Sequence, residues 1–206
     1  MYIIHDGKEV PLVRSLPVPI VHTEKLEHGW YRARNRYIRG NVVHWGGVTR
    51  RSIYRTLVNN NLSTHFAVDV DAIYQWLDTA KVAQHCGPHN WCTLGIDICQ
   101  WPIVSSLHHY PPPEWDVKVV PFRSNRTSQR EVLTLDSRLV RNTRALLIEL
   151  SDTFHLPLEV PPEDCIVEEP IRGTMGHHHL TMNKWDILPW WGQIFDGWKM
   201  YKTIEV

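Results

Sequence analysis

The sequence predicts an α/β protein with a mixed central β-sheet flanked by helices, and three patterns along the chain support this. A short apolar strand at 41–44 leads into two glycines, an alternating hairpin-like segment follows at 64–77, and a second apolar strand lies at 94–99. Two further segments repeat apolar residues at the three- and four-residue spacing of amphipathic helices. Strands and helices in this order are typical of a mixed sheet.

Turn and cap residues divide the first half of the chain into its expected elements. Residues 1–40 alternate short apolar stretches with prolines, which interrupt regular structure, so we expect a lead-in of short strands. Thr49 is a suitable N-cap for a helix that extends to Asn60. In the segment 64–77, the polar residues at 69–71 predict the turn of a hairpin.

The second half is divided in the same way. Residues 108–130 contain three consecutive prolines and several arginines, which predict a long surface loop or insertion. Asp136 is a suitable cap for an amphipathic helix over 136–152. A short terminal helix is expected over 190–198.

Size and charge restrict the possible functions. The chain has 206 residues, which fits a single domain over 1–206. Lys plus Arg and Asp plus Glu both number 22, so a net charge of zero gives no general attraction to nucleic acid or anionic membranes.

Asp6 and Lys8 interrupt any signal-peptide core, and no run approaches the ~18 apolar residues of a spanning helix. We expect a monomer made in the cytoplasm, with no nucleic-acid partner and no membrane insertion.

Two polar residues lie in otherwise apolar strands. His44 ends the first strand just before two glycines, which is a frequent place for active-site groups; a packed core imidazole is the alternative. Asp97 alternates with Ile96 and Ile98 and therefore lies on the opposite face of its strand. A carboxylate there must be paired, hydrogen-bonded or placed at the floor of a cleft, and the sequence leaves these alternatives open.

Three consecutive histidines, 177–179, form the most unusual local pattern. On an extended segment, His177 and His179 would point to one side and His178 to the other. A surface feature without a function is the alternative.

A carboxylate and a lysine follow the histidines closely. Zinc takes imidazole nitrogen and carboxylate oxygen, and a catalytic zinc site uses three protein ligands. His44, one histidine of the triplet and Asp186 would supply such a set. Lys184 lies two residues before Asp186, so on an extended loop it faces the same site; a solvated charge is the alternative.

Four segments, taken together, match a known family in order. They are VVHWGG at 42–47, STHFAVDVDAIYQWLD at 63–78, AQHCGPHNWCTLGIDI at 83–98 and GHHHLTMNKWD at 176–186. The chain thereby resembles the zinc N-acetylmuramoyl-L-alanine amidases, which include phage lysozyme-amidases, a muropeptide-recycling amidase and the peptidoglycan recognition proteins. The resemblance implies the fold of the amidases and peptidoglycan recognition proteins. It also implies hydrolysis of the amide bond between the lactyl group of N-acetylmuramic acid and L-alanine of the stem peptide.

The resemblance also implies a role for each matched residue. The implied ligands of Zn²⁺ are His44, His177 and Asp186. The implied catalytic residues are Lys184 and Asp97, the latter at the position where recycling-type relatives carry a glutamate that activates water. The implied substrate-binding residues, in segments that line the groove, are His65, His85 and Asn90. One departure from the family is that Asp186 is followed by Ile-Leu-Pro rather than Pro-Gly-Pro.

Peptidoglycan or soluble muropeptides are the partners that the resemblance implies. The missing export signal and the insertion at 108–130 favour a phage-type endolysin that acts on the wall, in the host periplasm, after release. A cytoplasmic recycling amidase and a non-catalytic peptidoglycan-binding protein are the alternatives.

Overall fold

The computed structural model describes residues 1–22, 25–26, 37–47, 49–105, 112–163, 165–168 and 172–200. Its strands are β1 (Tyr2–His5), β2 (Lys8–Pro11), β3 (Ile20–Val21), β4 (Gly40–Trp45), β5 (Phe66–Val68), β6 (Ile73–Gln75), β7 (Thr93–Ile98), β8 (Val119–Pro121), β9 (Glu131–Leu133), β10 (Glu159–Val160), β11 (Gly173–Gly176) and β12 (Lys199–Met200). Its helices are α1 (Arg50–Asn59), α2 (Ser137–Phe154) and α3 (Trp191–Phe195).

A six-stranded mixed sheet in the order β11-β4-β7-β5-β6-β3 forms the centre, as predicted. The strands from β11 to β5 pair in parallel, and β6 runs antiparallel to β5 in the expected hairpin. His44 of β4 and Asp97 of β7 are direct register partners. Because paired residues on neighbouring parallel strands point to the same face, the sheet brings these two polar side chains together.

The two long helices cover opposite faces of this sheet. Leucines of α2 pack with Phe66 and Ile96, whereas α1 packs its buried Ile53 and Leu57 with Ala67, which has the opposite orientation in β5. Thr49 caps α1, and Asp136 caps α2 through its side chain, as the sequence predicts. His44 and Asp97 therefore lie on the α1 face.

Three peripheral segments differ from the sequence expectations or refine them. The lead-in forms a β1-β2 hairpin and adds β3 to the sheet edge, and residues 27–36 lie outside the described part of the chain. The segment 108–130 is not only a loop, because β8 lies within it and pairs with β9; residues 106–111 are outside the description. The terminal helix is shorter than expected: α3 ends at Phe195, shortly before Gly197 takes a φ of 77°.

None of the helices in the described part of the chain is both long enough and apolar enough to cross a membrane.

Candidate metal centre

His44, His177 and Asp186 converge at the carboxyl ends of β4 and β11. Nδ1 of His177 lies 3.1 Å from Oδ2 of Asp186, and Nδ1 of His44 lies 3.5 Å from the same oxygen. One ligand atom from each of the three residues lies within 4.8 Å of the others. Two imidazole nitrogens and a carboxylate oxygen are a donor set that zinc accepts, so these residues fit the implied metal.

Electrostatics favour the protonation states that bind a cation. Burial by itself would raise the pKa of Asp186, but hydrogen bonds to His177 and His44 outweigh it and hold the pKa well below its usual range. Burial lowers the pKa of His177, although its hydrogen bond to Asp186 works in the other direction. The ionised carboxylate of Asp186 and the neutral imidazole of His177 are the forms that coordinate a metal.

Asp97 lies beside this cluster as a buried acid. Burial raises its pKa, the neighbouring His44 and the Thr64 hydroxyl partly oppose that shift, and the charge of Asp186 adds to it. A Cβ at Gly46 would lie only 2.7 Å from Oδ1 of Asp97, so the absent side chain of this glycine leaves room for the carboxyl group. A carboxyl group with a raised pKa that lines a cavity is suited to proton transfer.

One cavity of about 260 Å³ joins the cluster to the other groups that could do chemistry. The predicted site residues that line it are His44, His85, Asp97, His177, Lys184 and Asp186. Ile53 and Leu57 of α1 form part of its apolar wall. The structure thus places the predicted ligands, acid and lysine around a single space.

His85 has a specific place behind a predicted ligand. Its Nδ1 lies 3.0 Å from Nε2 of His44, while its Nε2 lies 3.2 Å from the hydroxyl of Thr93. If Nδ1 of His44 faces a metal ion, Nε2 carries the proton and donates to His85. Partners of this kind orient metal ligands. His85 lies 41 positions after His44, so the local sequence gave no signal for this contact.

His65 and Asn90, which the resemblance implies bind substrate, both form hydrogen bonds to backbone groups. His65 is fully buried: Nδ1 accepts from the backbone of Gly95, and Nε2 donates to the carbonyl of Lys81. Asn90 accepts from the backbone N–H groups of His85 and Cys86. Both side chains therefore hold backbone in place, and Asn90 fixes the segment that carries His85.

The extended geometry expected for the histidine triplet is wrong, because residues 177–179 form a 3₁₀ turn. A Cβ at Gly176 would lie 2.5 Å from the ring of His178, so glycine lets this ring fold back over the strand end. His178 and His179 both turn into the core, where their rings contact Trp191. His177 alone of the three lines the cavity.

A two-histidine, one-carboxylate cluster next to a buried acid and a lysine, on a mixed sheet, is typical of metal-dependent hydrolases. The family described as N-acetylmuramoyl-L-alanine amidase matches residues 33–186. The chain therefore belongs to the N-acetylmuramoyl-L-alanine amidase family and is an enzyme of the amidase type. Comparison with curated protein sequences finds no match.

Solved structures share the fold at low sequence identity. A mutant endolysin from Bacillus subtilis is 18% identical with a TM-score of 0.52, over 87% of this chain and 98% of that one. The catalytic domain of XlyA is 15% identical with a TM-score of 0.51, over 86% and 97%. The Staphylococcus aureus hydrolase AmiA, in complex with its ligand, is 14% identical with a TM-score of 0.50, over 83% and 70%. These likenesses show the amidase fold.

Proposed function

We propose that this chain is a zinc-dependent hydrolase that cleaves the amide bond between the lactyl group of N-acetylmuramic acid and L-alanine of the peptidoglycan stem. The observation that carries the proposal is the single cavity lined by His44, His177, Asp186, Asp97 and Lys184. Family membership supplies the class of reaction, and the cavity supplies a set of groups with suitable chemistry.

Each group in the cavity has a task in this reaction. His44, His177 and Asp186 would hold Zn²⁺, which supplies Lewis acidity when it is bound. Asp97 accepts a proton from the attacking water as general base, and its buried position makes it a stronger proton acceptor. Lys184 is exposed and donates to the oxygen that becomes negatively charged on the substrate carbonyl. As the C–N bond breaks, Asp97 returns the proton to the leaving amine of L-alanine.

For the biological setting we propose a phage-type endolysin, a monomeric single domain that is made in the cytoplasm and reaches the wall after release. One support is the described part of the segment 108–130, where Phe122 contacts Trp185 and Arg126 donates to His178. The other is the Ile-Leu-Pro sequence after Asp186, in place of the Pro-Gly-Pro of many relatives. A similar structure is described as an endolysin. A recycling amidase remains the second candidate because the same bond occurs in soluble muropeptides.

The test is mass spectrometry of the products from intact sacculi and from soluble anhydro-muropeptides, compared side by side, with elemental analysis of the protein used. We expect free stem peptides with an N-terminal L-alanine, faster release from the polymer, and about one zinc per chain. Faster turnover of the soluble compound would favour recycling. A folded protein that holds no zinc after reconstitution and releases no stem peptide would overturn the enzyme proposal.

A further inference from the structure

A second, larger cavity lies on the segment that connects β8 to β9. Its volume is about 720 Å³, and it is open to solvent. The residues that line it are Arg123, Ser124, Asn125, Arg126, Arg130 and Met182. We call this cavity the arginine groove. No acidic residue is among those that line it, so a chain with zero formal net charge concentrates positive charge here.

Two of the arginines present their charge to the groove. Arg123 and Arg130 are exposed, and neither forms an ion pair with any residue that the structure describes. Among the described residues, the partners of the Arg130 guanidinium are two backbone carbonyls, those of Thr127 and Gln129, at 3.4 Å each. Most of the hydrogen-bond donors on these two side chains are therefore directed at solvent and are available to a ligand.

The third arginine connects the groove to the metal centre by a hydrogen bond. Arg126 is half-buried and donates to the backbone carbonyl of His178, the residue directly after the predicted ligand His177. On the same side, Met182 precedes Asp186 by four residues, which span at most about 14 Å of extended chain. Two connections therefore keep the groove close to the predicted ligands: the hydrogen bond of Arg126 to His178, and the short chain from Met182 to Asp186.

Aromatic rings connect the two sites along the surface. The ring of Phe122 lies 6.1 Å from that of Trp185, and Trp185 lies 5.2 Å from Trp45, which follows His44 directly. These three rings offer apolar contact area to a ligand that extends from the metal centre toward the arginines.

We propose that the arginine groove binds free carboxylates of the peptidoglycan stem peptide while the scissile amide lies at the metal centre. This inference rests on the proposed function. A guanidinium matches a carboxylate through paired, charge-assisted hydrogen bonds. A γ-linked glutamate in the stem keeps a free α-carboxylate two residues from the scissile bond, and diaminopimelate in the third position would add another. Both sources present the same chemical group.

The test is calorimetric binding of reaction products, which requires no turnover. The tripeptide L-alanyl-γ-D-glutamyl-L-lysine, amidated at its C-terminus, is compared with the same C-terminally amidated peptide carrying D-isoglutamine, so that the first peptide has one free carboxylate and the second has none. For the double variant Arg123→Gln, Arg130→Gln, we expect Kd to rise about tenfold for the carboxylate form and to change less than about twofold for the amide form. A third peptide with diaminopimelate in place of lysine separates the two carboxylate sources.

The control is Arg141→Gln, an exposed arginine on α2, which covers the opposite face of the sheet. This variant should bind all three peptides as the parent does. Equal losses for the carboxylate and amide peptides, no loss for either, or no binding of any tripeptide by the parent would overturn the inference. The proposed function fails separately, if the parent distinguishes the two peptides yet does not hydrolyse the muramyl compounds.

Discussion

The three consecutive histidines are divided between two neighbouring regions, in which their ring nitrogens have different partners. In the metal centre, His177 directs Nδ1 toward Asp186 and faces the ring of His44 at a centroid distance of 4.7 Å. In the region that we call the histidine core, the rings of His178 and His179 lie 3.9 Å apart, tilted by 41°, and both contact Trp191. Here Nε2 of each ring bonds to a backbone carbonyl, that of Glu163 or Pro162.

The difference shows that burial and residue type do not by themselves identify a metal ligand. Both core histidines are fully buried, and His179 also accepts from the backbone N–H of Gly176, so both of its ring nitrogens are occupied. Nδ1 of His178 lies against Gly176. Only His177 places a ring nitrogen next to another potential ligand. The metal centre is therefore expected to carry the chemistry, and the histidine core the stability.

The largest effect on turnover, with the metal retained, is expected from the two groups beside the ligands. Lys184→Ala should lower kcat by about 10²–10³ and Asp97→Asn by about 10²–10⁴, because one removes an oxyanion donor and the other the general base. Neither side chain belongs to the three-ligand cluster, so zinc content should stay at the parental level. Steady-state kinetics with parallel elemental analysis measure both quantities.

Asp97→Glu is the matched control for this prediction, since it keeps a carboxylate at the position. It should retain clearly more activity than Asp97→Asn. If Asp97→Asn turns over almost as fast as the parent, Asp97 is a structural acid and the base lies elsewhere. Loss of zinc in Lys184→Ala would contradict the assignment of Lys184 as a residue that does not hold the metal, and with it the assignment of Asp186 as a ligand.

The histidine core should make stability depend on pH. Burial lowers the pKa of His179 to about 4 and that of His178 to about 2, below the ordinary value of 6.5. The folded state thus keeps both rings neutral while the unfolded chain takes up protons as the pH falls. Their contribution to the free energy of unfolding is complete above pH 6.5. As the pH falls below that value, each histidine lowers the free energy of unfolding by about 1.4 kcal/mol per pH unit, down to pH 4 for His179 and pH 2 for His178.

Urea unfolding of the metal-free protein at several pH values between 6.5 and 4.5 measures this loss. His178→Phe keeps the shape of the ring and removes one titrating group, so its stability should fall less steeply than that of the parent. Parallel pH profiles for the two proteins would contradict the assignment of His178 to the core.

A smaller effect is expected from His85, which contacts the metal centre only through His44. His85→Phe removes the acceptor for Nε2 of His44 and should weaken zinc affinity about 10–100-fold. His85→Gln offers an amide oxygen to the same donor and should lose less. Competition with a fluorescent zinc chelator gives both affinities, and equal losses in the two variants would indicate a steric effect instead.

The sequence was sufficient for elements with strong local signals. The cap at Thr49, the hairpin around 69–71 and the α2 periodicity are all present in the structure. The register that pairs His44 with Asp97 depends on contacts between residues far apart in sequence. Alternation therefore predicted the face of Asp97 but not its proximity to His44.

Two features of the site could not be predicted from the local sequence, and the physical reason is the same. The ring nitrogens of His65 bond to backbone groups distant in sequence, those of Lys81 and Gly95. The triplet was treated as extended because period-two alternation ignores the turn that Gly176 permits. In both cases, the direction of a side chain depends on its packing partners, which the sequence does not specify locally.

The central claim is that His177, and not its neighbour, belongs to the metal centre. Calorimetric titration of metal-free protein with zinc chloride tests it directly, using the matched variants His177→Phe and His178→Phe, with circular dichroism to verify that each is folded. We expect one zinc per chain in the parent and in His178→Phe, with similar affinity, and none in His177→Phe. Zinc binding that survives in His177→Phe and disappears in folded His178→Phe would contradict the account.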